Sequence, residues 1–151
     1  MEGQTVPAFQ LQDEAGNTYS SDALLGKKYI LYFYPKDDTP GCTVEACSFR
    51  DHLSAFTSLD VQVFGISKGT MRTHKAFKEN HSLTFPLLLD ADSTVAKAFG
   101  VLTEKSMFGK KYMGIQRDTF LILENGRIGK VWHNVNPSTH TEEIVSYLSQ
   151  K

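Results

Sequence analysis

The segment at residues 28–34 constrains the fold more than any other part of the chain. Its sequence, KYILYFY, is an unbroken run of large aliphatic and aromatic residues after the first lysine. Successive side chains of a strand point to opposite faces, so this strand must be buried on both faces. Such a strand belongs inside a sheet that is covered on both sides. The sequence therefore predicts an α/β protein.

Other patterns along the chain predict the remaining elements. Strands are predicted at residues 61–67, 85–89, 118–124 and 127–134, and helices at residues 41–58, 70–80, 93–99 and 139–150. A short hairpin opens the chain, and Asn125-Gly126 predicts a two-residue turn between the last two strands. Strands alternate with helices before this late antiparallel hairpin, which favours a three-layer α/β/α sandwich with a mixed central sheet. No repeat or linker interrupts residues 1–151, so we expect a single domain.

Composition and charge exclude several classes of function. The net charge of −1 and the isoelectric point near 6.5 give no reason to expect nucleic acid or an anionic membrane as a partner. The longest apolar run is too short to span a membrane, and residues 1–7 lack the features of a signal peptide. We therefore expect a cytoplasmic protein. In that reducing compartment its two cysteines point to catalysis, redox chemistry or metal binding rather than to a static disulfide.

The segment at residues 35–47, PKDDTPGCTVEAC, carries the chemistry that the sequence predicts. Thr39-Pro40 is typical of a helix N-cap followed by proline at the first helical position. Cys42 then lies in the first turn, where free N–H groups and the helix dipole stabilise a thiolate. Thr39 can also bring its hydroxyl close to the sulfur, a role that is compatible with capping.

Helical periodicity places the two cysteines on different faces of the predicted helix. Phe49, Leu53 and Phe56 mark the buried stripe of the predicted helix, and Cys42 falls within roughly 20° of it. Cys47 falls roughly 150° away and faces outward. Five helical residues place the two Cα atoms about 8.7 Å apart, beyond the roughly 7 Å that a disulfide allows. If these cysteines do form a disulfide, the start of the helix must therefore unwind.

Alternative sites for the cysteines are weakly supported. The C-x4-C spacing differs from the C-x-x-C of thioredoxin-type redox sites, and the histidines show no zinc-ligand spacing. We expect the five histidines to be ordinary surface or partly buried residues, namely His52, His74, His81, His133 and His140. No glycine-rich phosphate loop appears, so neither a metal nor a cofactor is expected.

The motif Pro35-x-x-x-Thr39-x-x-Cys42 resembles the active-site motif of the peroxiredoxins. With a second cysteine at position 47, the run TPGCTVEACSFRD is similar to the Q-type peroxiredoxins, the bacterioferritin comigratory protein group. Further matches, KKYMG at residues 110–114 and RDTFLI at residues 117–122, extend the resemblance over nearly the whole chain. Two segments depart from the family pattern: Lys68-Gly69-Thr70 replaces a Ser/Pro/Asp-rich turn, and Leu123-Glu124-Asn125-Gly126 replaces a more acidic one.

This resemblance implies a thioredoxin-like fold with an N-terminal extension. It also implies reduction of hydrogen peroxide and organic hydroperoxides, with thioredoxin or a similar dithiol returning the electrons, as part of antioxidant defence. Cys42 would be the peroxidatic cysteine and would pass through a sulfenic acid to an intramolecular disulfide with the resolving Cys47. Because the resolving cysteine lies in the same chain, a monomer is expected.

The remaining roles follow from motif position. Pro35, Thr39 and Arg117 complete the implied site, with Pro35 shielding it and Arg117 stabilising the thiolate by its charge. The alternative for Arg117 is a surface arginine at the start of a strand. Glu45 lies one turn after Cys42 and would orient Arg117 through a bidentate pair, although complementarity to the helix dipole also explains it.

Two other functions remain open at the level of sequence. One is a thiol–disulfide oxidoreductase on the same fold, against which the absence of C-x-x-C argues. The other is a redox-sensing binding module, in which disulfide formation changes a partner surface. Insulin reduction would reveal the first, and multiple-turnover peroxide kinetics would separate an enzyme from a sensor.

Overall fold

The computed structural model describes residues 1–150. The helices within this range are α1 (Pro40–Asp51), α2 (Leu53–Ser58), α3 (Met71–Asn80), α4 (Thr94–Ala98) and α5 (His140–Ser149). The strands are β1 (Gln10–Gln12), β2 (Thr18–Ser20), β3 (Lys28–Phe33), β4 (Val61–Ser67), β5 (Leu87–Leu89), β6 (Leu102–Met107), β7 (Lys110–Ile115), β8 (Thr119–Ile122) and β9 (Ile128–Trp132).

The central sheet has the strand order β5-β4-β3-β8-β9. Strands β3, β4 and β5 run parallel, whereas β8 pairs antiparallel with both β3 and β9. The predicted mixed sheet is therefore confirmed. The apolar run that begins at Lys28 forms β3, which lies in the middle of the sheet as its composition requires.

Strand β3 divides the core into two parts. Tyr29, Leu31 and Phe33 point to one face, whereas Ile30 and Tyr32 point to the other. Helix α4 and the N-terminal segment cover the first face, while α1, α2, α3 and α5 contribute side chains to the second. The three-layer sandwich with an N-terminal β1–β2 hairpin is thus confirmed, and the fold is thioredoxin-like.

The predicted single helix over residues 41–58 is wrong in one respect. It is divided at His52, whose backbone (φ −101°, ψ 6°) leaves the helical region between α1 and α2. The imidazole Nδ1 of His52 lies 2.8 Å from the carbonyl oxygen of Ser48, which the backbone N–H of His52 also reaches at 3.0 Å. This side-chain contact with the preceding turn accompanies the local change in backbone conformation.

Two further expectations need correction. The hairpin between β8 and β9 turns through three residues, 124–126, because Leu123 N bonds the carbonyl oxygen of Arg127, and Gly126 adopts φ +78°. The expectation of surface or partly buried histidines is wrong for His74 and His140, which are 0% and 1% exposed. Both ring nitrogens of each histidine have polar partners, which makes their burial possible. His74 is paired with the Asp37 carboxylate and the Leu88 carbonyl oxygen, and His140 with the Thr119 hydroxyl and the Glu143 carboxylate.

The β6–β7 hairpin is absent from the sequence prediction. Most of its residues are exposed or half-buried, so the sequence lacks the alternating pattern of a strand with one buried face. Its turn places Phe108 at the tip with 97% of its surface exposed. Among residues 1–150, no helix has the length and apolar character needed to cross a membrane.

Candidate active site

The site lies between the end of β3 and the start of α1. Pro35 follows the strand, and the loop of residues 36–38 leads to Thr39, whose extended backbone (φ −89°, ψ 155°) forms the N-cap. Pro40 occupies the first helical position and places Cys42 in the first turn. The predicted helix start is therefore confirmed, and the sulfur lies at the positive end of the helix dipole.

The two cysteines differ in exposure as periodicity predicts. Cys42 is 1% exposed and packs into the core cluster below α1. Cys47 is partly exposed, and both cysteines are free thiols in an intact helix. In this conformation the helix keeps their Cα atoms about 8.7 Å apart, too far for a disulfide.

Arg117 reaches Cys42 because β8 runs antiparallel beside β3. Thr119 pairs with Tyr32, and the carbonyl oxygen of Asp118 accepts from the N–H of Phe33 at 2.8 Å. The start of β8 therefore lies next to the end of β3. From there Nη1 of Arg117 lies 3.5 Å from Sγ of Cys42, so the arginine is at the thiol rather than on the surface.

The same Arg117 nitrogen donates to Glu45 Oε1 at 3.1 Å. Glu45 is fully buried, and its Oε2 has no hydrogen-bond partner within residues 1–150, so the contact is single rather than the predicted bidentate pair. Burial raises the pKa of Glu45 to about 7, even though the charge of Arg117 and its hydrogen bond act to lower it. Burial acts to lower the pKa of Arg117, but the charges of Cys42 and Glu45 and the hydrogen bonds to both raise it above its ordinary value.

Thr39 and Pro35 also lie at this helix mouth. The hydroxyl of Thr39 donates to the carbonyl oxygen of Lys36 at 3.0 Å, and no side-chain capping bond is formed. In this conformation the hydrogen bond of the hydroxyl is therefore to that carbonyl oxygen rather than to the sulfur. Pro35 and Arg117 line a cavity of about 310 Å³ that opens beside the site.

Two residues of the site were not assigned a role from sequence. A Cβ atom at Gly41 would lie 3.1 Å from Nη2 of Arg117, so the glycine lets the guanidinium approach the helix start. Asp118 is buried and accepts bonds from the Asn134 N–H at 2.9 Å and from His133, which fixes the backbone that carries Arg117. A glycine in the first turn, where it disfavours helix, is the signal that could have identified Gly41.

Among residues 1–150, no group of three or more histidine, cysteine or acidic side chains is arranged to hold a metal ion. The chemistry available at the site is that of the thiol, the guanidinium and the helix N-terminus. A buried cysteine held against an arginine at such a position is suited to nucleophilic attack as a thiolate.

Comparison with known proteins agrees with this chemistry. The AhpC/TSA family profile matches residues 3–131, and the chain belongs to that family. A Coxiella burnetii protein assigned to the Bcp peroxiredoxins is 51% identical over 146 residues, covering 97% of each chain. Peroxiredoxin Bcp of Bacillus subtilis is 45% identical, covering 97% of this chain and 93% of the relative.

Solved structures give the same result. The Xanthomonas campestris bacterioferritin comigratory protein, studied for its alkyl peroxide reduction, aligns with a TM-score of 0.89 at 32% identity. The alignment covers 94% of this chain and 90% of that one. A mutant of the Xylella fastidiosa PrxQ aligns with a TM-score of 0.90 over 99% of this chain and 92% of that one, at 32% identity. Within its family the chain is a peroxiredoxin of the Bcp/PrxQ type, a thiol-dependent peroxidase that acts on peroxide and draws on a thiol reductant.

Proposed function

We propose that the chain is an atypical two-cysteine peroxiredoxin in which Cys42 is the peroxidatic and Cys47 the resolving cysteine. The observation that carries this proposal is the 3.5 Å contact between Arg117 Nη1 and Cys42 Sγ at the start of α1. The partly exposed Cys47, one and a half turns further along the same helix, supplies the second thiol. The substrates are hydrogen peroxide and organic hydroperoxides.

In the first step the Cys42 thiolate attacks the terminal peroxide oxygen. A sulfur–oxygen bond forms, the oxygen–oxygen bond breaks, and the leaving oxygen takes a proton to become water or an alcohol. Negative charge moves from the sulfur to that oxygen. Donors from Arg117, the Cys42 backbone N–H and the Thr39 hydroxyl stabilise it; the hydroxyl turns from the Lys36 carbonyl oxygen to the substrate.

Glu45 and Pro35 support this step without making or breaking bonds. Glu45 fixes the guanidinium of Arg117 through the 3.1 Å hydrogen bond, so that the donors point at the reacting oxygens before the substrate arrives. Pro35 lines the cavity beside Arg117 and limits access of water to the sulfur.

In the second step the start of α1 unwinds and Cys47 attacks the sulfenic acid. The sulfenic oxygen leaves as water, and a Cys42–Cys47 disulfide forms. The intact helix holds the two Cα atoms about 8.7 Å apart, so unwinding must precede this bond. Local unfolding of one or two turns is a common low-energy motion of proteins.

Thioredoxin or a similar dithiol then reduces the disulfide by exchange, which returns Cys42 and Cys47 to the thiol state. The resulting role is antioxidant defence and cell redox homeostasis in the cytoplasm. We further propose that residues 1–151 act as a single-domain monomer, since both cysteines of the cycle lie on one helix.

Peroxide consumption with thioredoxin and its reductase tests this function. The Cys42→Ser variant is expected to lose turnover completely. The Cys47→Ser variant is expected to consume one equivalent of peroxide and to stop as the sulfenic acid, or to recycle only with an external thiol. Sustained turnover by Cys42→Ser would overturn the assignment.

A further inference from the structure

His74 of α3 is a fully buried histidine that takes no part in the steps above. Both of its ring nitrogens have partners: Nδ1 lies 2.6 Å from Asp37 Oδ2, and Nε2 lies 3.0 Å from the carbonyl oxygen of Leu88. A carbonyl oxygen only accepts, so Nε2 carries a proton and donates it. The ring is thereby anchored to β5 on one side and to Asp37 on the other.

Asp37 lies in the loop between Pro35 and Thr39, directly before α1. Its side chain is only 7% exposed, and its second oxygen accepts the Tyr34 hydroxyl at 2.7 Å. The carboxylate is therefore held from two sides, by the residue after β3 and by α3. Tyr34, Asp37 and His74 together are called the loop clamp below.

The sequence around α3 is adapted to this clamp. A Cβ atom at Gly69 would lie 3.0 Å from Cε1 and 3.1 Å from Nδ1 of the His74 ring, so a larger residue would displace the ring by a few tenths of an ångström. Thr70 then caps α3 by accepting from the backbone N–H of Thr73 at 3.0 Å. The Lys68-Gly69-Thr70 segment, which departs from the family pattern, thus has a structural reason.

The other end of α3 holds the next residue of the loop. Asp38 adopts the left-handed backbone conformation with φ +58°, which aspartate tolerates better than most residues with a side chain. Its carboxylate lies 2.7 Å from His81 Nε2 and accepts from Asn80 Nδ2 at 3.2 Å. Two consecutive loop residues are therefore fixed by one helix, immediately before the N-cap Thr39.

We propose that His74 is a positioning residue for Cys42. Through Asp37 it holds the loop in the conformation that starts α1 at Thr39 and keeps the sulfur beside Arg117. This inference rests on the proposed function, in which the same helix start must unwind before Cys47 can react. The clamp thus favours the conformation that reacts with peroxide over the one that forms the disulfide.

Loss of the clamp has opposite effects on the two steps. Oxidation of Cys42 by peroxide becomes slower, since fewer molecules have the folded helix start. Disulfide formation from the sulfenic acid becomes faster. A second peroxide molecule therefore oxidises less of the Cys42 sulfenic acid to the sulfinic acid. A merely structural role for His74 would not separate the two rates in this way.

The test is quenched-flow mass spectrometry of single-turnover oxidation by hydrogen peroxide. His74→Phe keeps an aromatic ring but removes its nitrogens. The ratio of folded to unwound helix start is expected to fall about tenfold, the size expected for one lost hydrogen bond to a charged group, and this lowers the first rate constant. The second rate constant, that of disulfide formation, is expected to rise.

Two further variants test the same contact. His74→Asn, whose amide nitrogen falls near the position of Nδ1, should restore most of the first rate constant. Asp37→Asn, which keeps the loop polar, should change both rates in the same directions as His74→Phe.

His140→Phe is the matched control. His140 is an equally buried histidine whose Nε2 lies 2.8 Å from Thr119 Oγ1 and whose Nδ1 lies 3.3 Å from Glu143 Oε1, so its hydrogen-bond partners lie outside the loop. The His140→Phe variant should have a lower free energy of unfolding in urea. It should not combine slower oxidation of Cys42 with faster disulfide formation.

Two outcomes overturn the clamp: a rate constant of disulfide formation that is unchanged in both His74→Phe and Asp37→Asn, or a parallel fall of both rates. Failure of the wild type to form the Cys42–Cys47 disulfide would instead overturn the proposed function.

Discussion

Nη1 of Arg117 lies 3.5 Å from Sγ of Cys42, although the two residues are 75 positions apart in the chain. Antiparallel pairing of β8 with β3 brings them together, because it places the loop before β8 at the end of β3 from which α1 departs. The contact joins a fixed cation to the sulfur at the positive end of a helix. This geometry supports the proposed roles of Cys42 as the peroxidatic cysteine and of Arg117 as the group that stabilises its thiolate.

Replacement of this arginine is expected to reduce the reaction with peroxide strongly. Arg117→Met removes the donor and the charge but keeps much of the side-chain volume. The second-order rate constant of the reduced protein with hydrogen peroxide should fall by about 100-fold, as for single preorganised donors in other active sites. Arg117→Lys should restore only part of the rate, because an ammonium lacks the planar fork of the guanidinium.

The matched control for this experiment is Arg50→Met. Arg50 lies on the same helix as Cys42 but bonds Asp51 and the carbonyl oxygen of His81. A similar loss of rate in Arg50→Met and Arg117→Met would show that removal of any nearby cation is sufficient. It would count against a specific role for the contact between Arg117 and Cys42.

Replacement of Gly41 by alanine is expected to lower the activity without lowering the stability of the protein. In Gly41→Ala the new Cβ would lie 3.1 Å from Arg117 Nη2, so the guanidinium that also contacts the sulfur must shift by a few tenths of an ångström. Alanine favours helix over glycine by about 1 kcal/mol, so the free energy of unfolding should not fall with the activity. We expect a peroxide rate constant lower by about tenfold, since small displacements of a positioning group are costly. Thr43→Ala in the same turn should leave the rate unchanged; an unchanged rate in Gly41→Ala would refute the steric argument.

Glu45 gives a pH dependence of stability with a defined sign. Burial raises its pKa from 4.5 to about 7 in the folded protein. A group whose pKa is raised by folding favours the folded state fully below its unfolded pKa, and this contribution is lost as the pH rises through the folded value. Between pH 4.5 and 7 the reduced wild type should therefore lose about 3 kcal/mol relative to a variant without this carboxyl group.

Glu45→Gln is that variant, because its amide does not titrate. Urea unfolding of both proteins from pH 4.5 to 8 should show the stability difference shifting in favour of Glu45→Gln as the pH rises. Taking the difference removes the titration of all other groups. A difference that stays constant over this range would contradict an elevated pKa of Glu45.

Much of the fold could be predicted because local patterns determine it. The apolar run of β3 required a central buried strand, and Thr39-Pro40 marked the start of α1. Helical periodicity also gave the difference in burial between Cys42 and Cys47. These features depend on neighbours within a few positions, which a single sequence displays directly.

The contacts of the site that join distant segments could not be obtained from local patterns. Asp37 and His74 are 37 positions apart, and nothing in the sequence around either residue indicates the other. Arg117 was found only through the similarity of its flanking residues to a known family. The mainly exposed β6–β7 hairpin was missed because its stability comes from strand pairing rather than from a buried face.

We propose that peroxide links Cys42 to Cys47 through local unwinding of α1. Hydrogen–deuterium exchange with peptide mapping, on the dithiol protein and after one equivalent of hydrogen peroxide, tests this mechanism. We expect an intrachain Cys42–Cys47 disulfide and a loss of amide protection confined to residues 39–49, with β3 and β4 still protected. Oxidised protein that keeps the protection of residues 39–49, or that carries its disulfide between two chains, would rule the mechanism out.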